Sequence, residues 1–149
     1  NEAEFVACAG APATTDCPYC SGGACYQTGF CGASADCHGG EVCTRGLCQP
    51  VGDPCDAPVS IDDIRAARYS PGKHVCVRGW TSFVVPAFDG DTHVQLGINS
   101  QMGFTTEMTR PYRERIGNPP SLQQVSIYGA IRWDPAHGWW EVHPIFWWR

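Results

Sequence analysis

The chain lacks any apolar run near the roughly 20 residues that a membrane-crossing helix requires, so no membrane span is expected. A basic excess is missing too. Residues 1–59 hold seven acids against Arg45 alone, a net of −6, whereas residues 60–149 hold eight acids and nine bases, a net of +1. Neither part has the cationic stripe that grips phosphates, which argues against a nucleic-acid partner. No charged-then-apolar leader stands at Asn1, so the chain is expected to begin where a signal peptide was cut away. Residues 1–55 lack enough large apolar side chains for a core. Gly, Ser, Ala and Pro fill the space between cysteines there, and cross-links have to replace a core.

Cysteine itself is abundant. Nine stand at Cys8, Cys17, Cys20, Cys25, Cys31, Cys37, Cys43, Cys48 and Cys55, and a tenth is Cys76. This load fits an oxidising compartment, so a secreted, extracellular or cell-surface protein is expected. Cys17-Pro18-Tyr19-Cys20 has the spacing of a redox pair but no βαβ surroundings, and Ser21 stands where haem attachment needs histidine. Disulfides are favoured over a zinc cluster. Gln49 to Val59, with three prolines, reads as a stiff connector between a stapled lobe, 1–55, and a second domain, 56–149. Nine cysteines cannot all pair within one lobe, so one bond should cross to the second domain, and Cys55–Cys76 is the nearest choice. The full pairing stays open among about 945 arrangements.

The second domain reads as mainly β. Ser60 caps a short helix with Asp62 and Asp63 in its first turn, which must stop by Ser70-Pro71-Gly72. Strands are expected over 74–85, 91–98, 104–109, 124–133 and 139–148, with a hairpin turn at Asp89-Gly90 and a helical turn over 111–116. Alternation puts Val75, Val77, Thr81, Phe83 and Val85 on one face of the first strand, and Cys76, Arg78, Trp80 and Ser82 on the other. In the fourth, Val125, Ile127, Ile131 and Trp133 point inward, and Ser126, Tyr128 and Arg132 outward.

The stretch Gly129 to Arg149 holds five of the six tryptophans. In one unbroken strand Trp140, Val142, Pro144, Phe146 and Trp148 share an apolar face, and Trp139, Glu141, His143, Ile145 and Trp147 the other. Pro144 donates no ladder hydrogen bond, so it belongs at an edge or a bulge, and a bulge exchanges Trp147 with Trp148.

Five strands with a helical insert after the third follow the order of an OB-fold, a small Greek-key barrel. The segments IDDIRAARYSPGKHVCVRG and DGDTHVQL…EM…GAIRWDPAHGWWEVHP resemble secreted bacterial OB domains with a GD-x-H and HGW-x-E-x-HP pattern. The preceding Cys31–Cys48 segment resembles small Cys/Gly modules of secreted proteins. Asp89-Gly90-Asp91-Thr92 is also similar to the calcium-binding turn of staphylococcal-nuclease-like enzymes, which implies Asp91 as a metal ligand. The Arg-x-x-x-(Val/Ile)-Asp-x-Pro-Glu segment of that family is absent.

Three functional readings follow. The favoured one is a non-enzymatic structural or interaction protein that self-associates, as an extracellular filament subunit, with identical copies as partners. Its surface would be an outward aromatic patch of Trp80, Tyr128, Trp139 and Trp147, with Phe5 and Val6 as an arm pairing with a neighbour's sheet. The second is a metal-dependent hydrolase using Asp91, His93, Glu107, Glu141 or His143, with calcium or zinc as a structural ion in a milder form. The second and fifth OB strands are not neighbours, so His93 needs another route to Glu141 and His143. The third is a glycan or small-ligand module stacking on Trp80 or Trp139. The face of strands two and three offers His93, Gln95, Gly97, Thr105, Glu107 and Thr109, which contain no stacking platform for single-stranded nucleic acid.

Overall fold

The computed structural model describes residues 31–97 and 103–149 in full, and the backbone of 6–7, 19–21 and 24–26. It divides into two compact units, Asn1–Val51 and Gly52–Arg149. Phe5, Cys8 and Cys17 lie outside the described residues, as do the side chains of Val6, Cys20 and Cys25.

In the first unit, strands β1 (Val6–Ala7), β2 (Tyr19–Ser21) and β3 (Ala24–Tyr26) form a sheet in the order β1-β3-β2. A hairpin follows from β4 (Glu41–Thr44) and β5 (Leu47–Pro50), turning through Arg45 and Gly46, both at positive φ. Disulfides Cys31–Cys43 and Cys37–Cys48 staple it, and Leu47 is the one aliphatic side chain buried there among the described residues. Cross-links thus replace a core, because so few carbon side chains are available to leave water.

The second unit is mainly β. Helix α1 (Ile61–Arg65) starts at Ser60, whose hydroxyl accepts from the Asp62 N–H at 3.1 Å. Strands β6 (His74–Pro86), β7 (Thr92–Leu96), β8 (Phe104–Met108), β9 (Gln124–Asp134) and β10 (Trp139–Trp148) close a barrel in the order β10-β8-β7-β6-β9. All neighbours are antiparallel except β10 and β8, which meet in parallel at Val142 and Thr106. Helix α2 (Arg110–Ile116) lies between β8 and β9, and its Tyr112 is fully buried with its ring 5.3 Å from that of Phe146. The result is an OB-like barrel. Val75, Val77, Val94, Leu96, Phe104, Ile127, Ile131 and Val142 fill its interior.

Three departures from simple alternation matter. On β6, Thr81 pairs with Leu96 but Phe83 pairs with Gln95, a register shift that turns Phe83 and Val85 outward while Thr81 is fully buried. On β10, register shifts on both sides of Ile145 bury both Ile145 and Phe146, so strict parity fails at the His143–Pro144 step, a cis peptide. Gly129 makes this possible. A Cβ there would press into the Pro144 carbonyl and lie 2.6 Å from Val142 Cγ1. Trp148 then reaches the end of α2, its indole N–H donating to the Gly117 carbonyl at 3.0 Å. Trp133, expected inside, is exposed at the barrel mouth and meets Trp140 edge-on at 5.5 Å. Tyr128, expected outside, is buried against His74 and Phe146.

The Cys55–Cys76 disulfide is present, but both residues belong to the second unit. It straps the connector to β6 rather than bridging the units. The Arg78 guanidinium donates to the Cys55 carbonyl at 2.9 Å, Val59 N–H donates to the Cys76 carbonyl at 2.8 Å, and Asp53 pairs with Arg149 at 2.7 Å. Eight cysteines remain in the first unit, an even number, and no cysteine is free among the described residues.

Candidate functional site on the outer barrel face

Strand pairing assembles the site. His93 faces Glu107 and Gln95 faces Thr105 across β7 and β8, and β10 runs parallel beside β8 with Trp139, Glu141 and His143 at alternating positions. Asp91 arrives from the β6–β7 turn, which is fixed by Asp91 N–H donating to Asp89 Oδ1 at 3.0 Å and by Gly90 at a φ of 95°. Arg113 of α2 holds the same turn, donating to the Gly90 carbonyl at 2.7 Å and to Thr92 Oγ1 at 3.0 Å.

One half of this face is charged. His143 Nε2 lies 3.3 Å from Asp91 Oδ2, and its Nδ1 lies 3.1 Å from Glu107 Oε2 and 3.2 Å from Glu141 Oε1. Glu107 Oε1 is 2.8 Å from His93 Nε2. Glu107 on the third strand is therefore the link between His93 and the fifth strand, which strand order alone denied to His93. Glu141 is 1 % exposed and is held by the Trp139 indole N–H at 3.1 Å and by Arg132 Nε at 3.7 Å. Arg132 also approaches His143 Nδ1 at 3.3 Å. The shorter carboxylate contacts mark Nδ1 as a donor, so the two cations share acceptors rather than bond to one another.

Electrostatics follow from this packing. Burial works against a charged His143 ring, but hydrogen bonds to Asp91 and Glu141 and the charge of Glu107 outweigh it, so its pKa is pushed up to about 9. Burial pushes the Glu107 carboxyl above its ordinary range, with Glu141 and Asp91 adding to the rise and His143 and His93 opposing it. In the β9–β10 turn, the hydrogen bond that His137 Nδ1–H donates to Asp134 Oδ2 raises the pKa of His137, whose ring stacks on Trp139 at 4.5 Å and 9°.

The other half is an aromatic groove. A half-open cavity of about 630 Å³ has Phe83, Trp133, Trp139 and Trp140 as apolar walls, with Gln95 and Thr105 between them. Thr105 Oγ1 donates to Gln95 Oε1 at 3.2 Å, which fixes that amide. Arg65 of α1 stands at the rim, donating to the Gly103 carbonyl at 2.7 Å. Trp139 belongs to both halves through Glu141. The stacking rings absent from strands two and three come instead from strands one, four and five.

The sequence-predicted residues separate into two groups. Asp91, His93, Glu107, Glu141 and His143 converge, and Trp139 adjoins them. Of the four aromatics expected on the outside, Tyr128 is buried, Trp147 is half-buried, and Trp80 and Trp139 are exposed. Trp80 pairs with Gln124 and Trp139 with Asp134, at opposite ends of β9, and Trp80 is not among the residues lining the groove. Arg132, Arg65 and Phe83 escaped the sequence reading. Arg132 was within reach of it, since the short β9–β10 turn sets Arg132 opposite Glu141. Phe83 was not, because only the β6 bulge turns it outward.

No protein-family model matches this chain, and no curated protein matches it. A solved structure of asparaginyl-tRNA synthetase from Pyrococcus horikoshii, complexed with asparaginyl-adenylate, superposes with a TM-score of 0.50 at 14% identity. The match covers 63% of this chain and 22% of that one, so the chain spans about a fifth of its length. The likeness is one of fold.

Proposed function

We propose that this protein is a non-enzymatic, extracellular binding module whose working surface is the aromatic groove, and that its ligand is an uncharged saccharide. The observation carrying the reading is the groove itself, with four aromatic walls around the Gln95–Thr105 pair on the face that OB barrels use for oligonucleotides and oligosaccharides. Ring faces cover the apolar side of a sugar, and a fixed amide and hydroxyl meet its hydroxyls. Charge separates the two OB ligand classes. Arg65 is the one cation among the groove's lining residues, so a phosphate backbone finds no cationic stripe there, whereas a neutral sugar needs none. The disulfides, which persist in oxidising compartments, support the extracellular placing.

Self-association into a filament drew its support from one patch of Trp80, Tyr128, Trp139 and Trp147. The burial of Tyr128 takes one ring out of that patch, and the groove offers a formed cavity instead, so the single-ligand reading is preferred. Titrating the full chain with neutral oligosaccharides, read by tryptophan fluorescence, tests the choice. Saturable quenching that single-stranded DNA does not reproduce is expected. Quenching by DNA alone, or concentration-dependent assembly abolished by Trp80→Ala, would overturn the reading.

A further inference from the structure

We propose that Asp91, Glu107 and His143 bind one divalent transition-metal ion, of the zinc or manganese class, on the outer barrel face. The inference is separate from the groove and holds whether or not the groove takes a sugar. Ligating atoms of these three residues lie within 4.8 Å of one another, and they come from a turn and two strands that meet only in the closed barrel.

The surroundings of His143 point the same way. A metal-bound histidine commonly donates its other ring N–H to a carboxylate, which fixes ring orientation. Here Nδ1 is held by Glu141 at 3.2 Å, which leaves Nε2, facing Asp91 at 3.3 Å, as the ligating nitrogen, and Glu107 exchanges its 3.1 Å contact with Nδ1 for the ion. Glu141 is itself fixed by the Trp139 indole, so the ring has a fully buried support behind it. His93 supports Glu107 in the same manner at 2.8 Å. The ion replaces the Nε2 proton. One imidazole with two carboxylates suits zinc or manganese, whereas calcium prefers an all-oxygen shell. The described cysteines Cys31, Cys37 and Cys48 also stand close together, but all are in disulfides and supply no thiolate.

The test uses the full oxidised chain, stripped with chelator and dialysed against Zn²⁺, Mn²⁺ or Ca²⁺, with bound metal quantified. About one Zn²⁺ or Mn²⁺ per chain is expected, lost in His143→Gln and in Asp91→Asn. Glu141→Gln, which leaves the ligands in place, should weaken binding about 10–100-fold. Asp91→Asn lies on the turn, so it keeps the test decisive if His143→Gln fails to fold. Absence of binding, binding of Ca²⁺ only, or metal retained by Asp91→Asn with unchanged affinity each overturns the proposal.

Discussion

At the residue scale, His143 ties the β6–β7 turn, β8 and β10 together through three carboxylates, and this makes stability pH-dependent. Its folded pKa of about 9 lies above the ordinary 6.5. The contribution is therefore fully present below pH 6.5 and is lost as pH rises through about 9. At about 1.36 kcal/mol per pH unit this sets an upper bound of roughly 3 kcal/mol, reduced by the opposing burial of Glu107. For the chelator-treated chain, the melting temperature should fall between pH 6.5 and 9, and the fall should vanish in His143→Gln. A pH-independent melting temperature across that window would contradict the role given to His143. Gly129 is the second such residue. Gly129→Ala forces a Cβ into the β10 bulge and should cost about 1–3 kcal/mol, measured by urea unfolding, because overpacking against backbone leaves little room to relax.

At the element scale, what holds the connector is the Cys55–Cys76 strap with Arg78 and the Asp53–Arg149 pair. Replacing both cysteines by serine should lower stability by about 2–4 kcal/mol while circular dichroism still reports the barrel, since the ladder pairing of Cys76 with Tyr128 is made by the backbone and not by the sulfur. Equal stability of the double variant would show that Arg78 and Asp53 suffice. This scale also shows how far sequence patterns reach. The five strands, both helices, the Asp89-Gly90 turn and the Ser60 cap were legible, because period-2 alternation and turn residues are local signals. Faces beyond a bulge were not. Phe83 and Val85 of β6, and Ile145 of β10, changed sides because a pairing shift depends on a partner strand distant in sequence. Trp133 follows the parity of its strand yet lies at the barrel mouth, where parity no longer means burial. The charged cluster was legible as residue types, but the link through Glu107 needed the parallel β8–β10 contact that closes the barrel.

At the scale of the whole molecule, a stapled unit of 51 residues precedes a barrel whose one face combines a charged cluster with an aromatic groove. Trp139 is where the two meet, holding Glu141 with its indole N–H and walling the groove with its ring. Removal of its ring should therefore weaken ligand binding, whereas the exposed Trp80, which does not line the groove, should not matter. The most direct measurement is isothermal titration of the full chain, Trp139→Ala and Trp80→Ala with the tightest-binding neutral oligosaccharide. The account predicts at least a tenfold loss of affinity in Trp139→Ala, about 1.4 kcal/mol, and none in Trp80→Ala. Equal affinity in all three, or no saccharide bound by the parent chain, would contradict it.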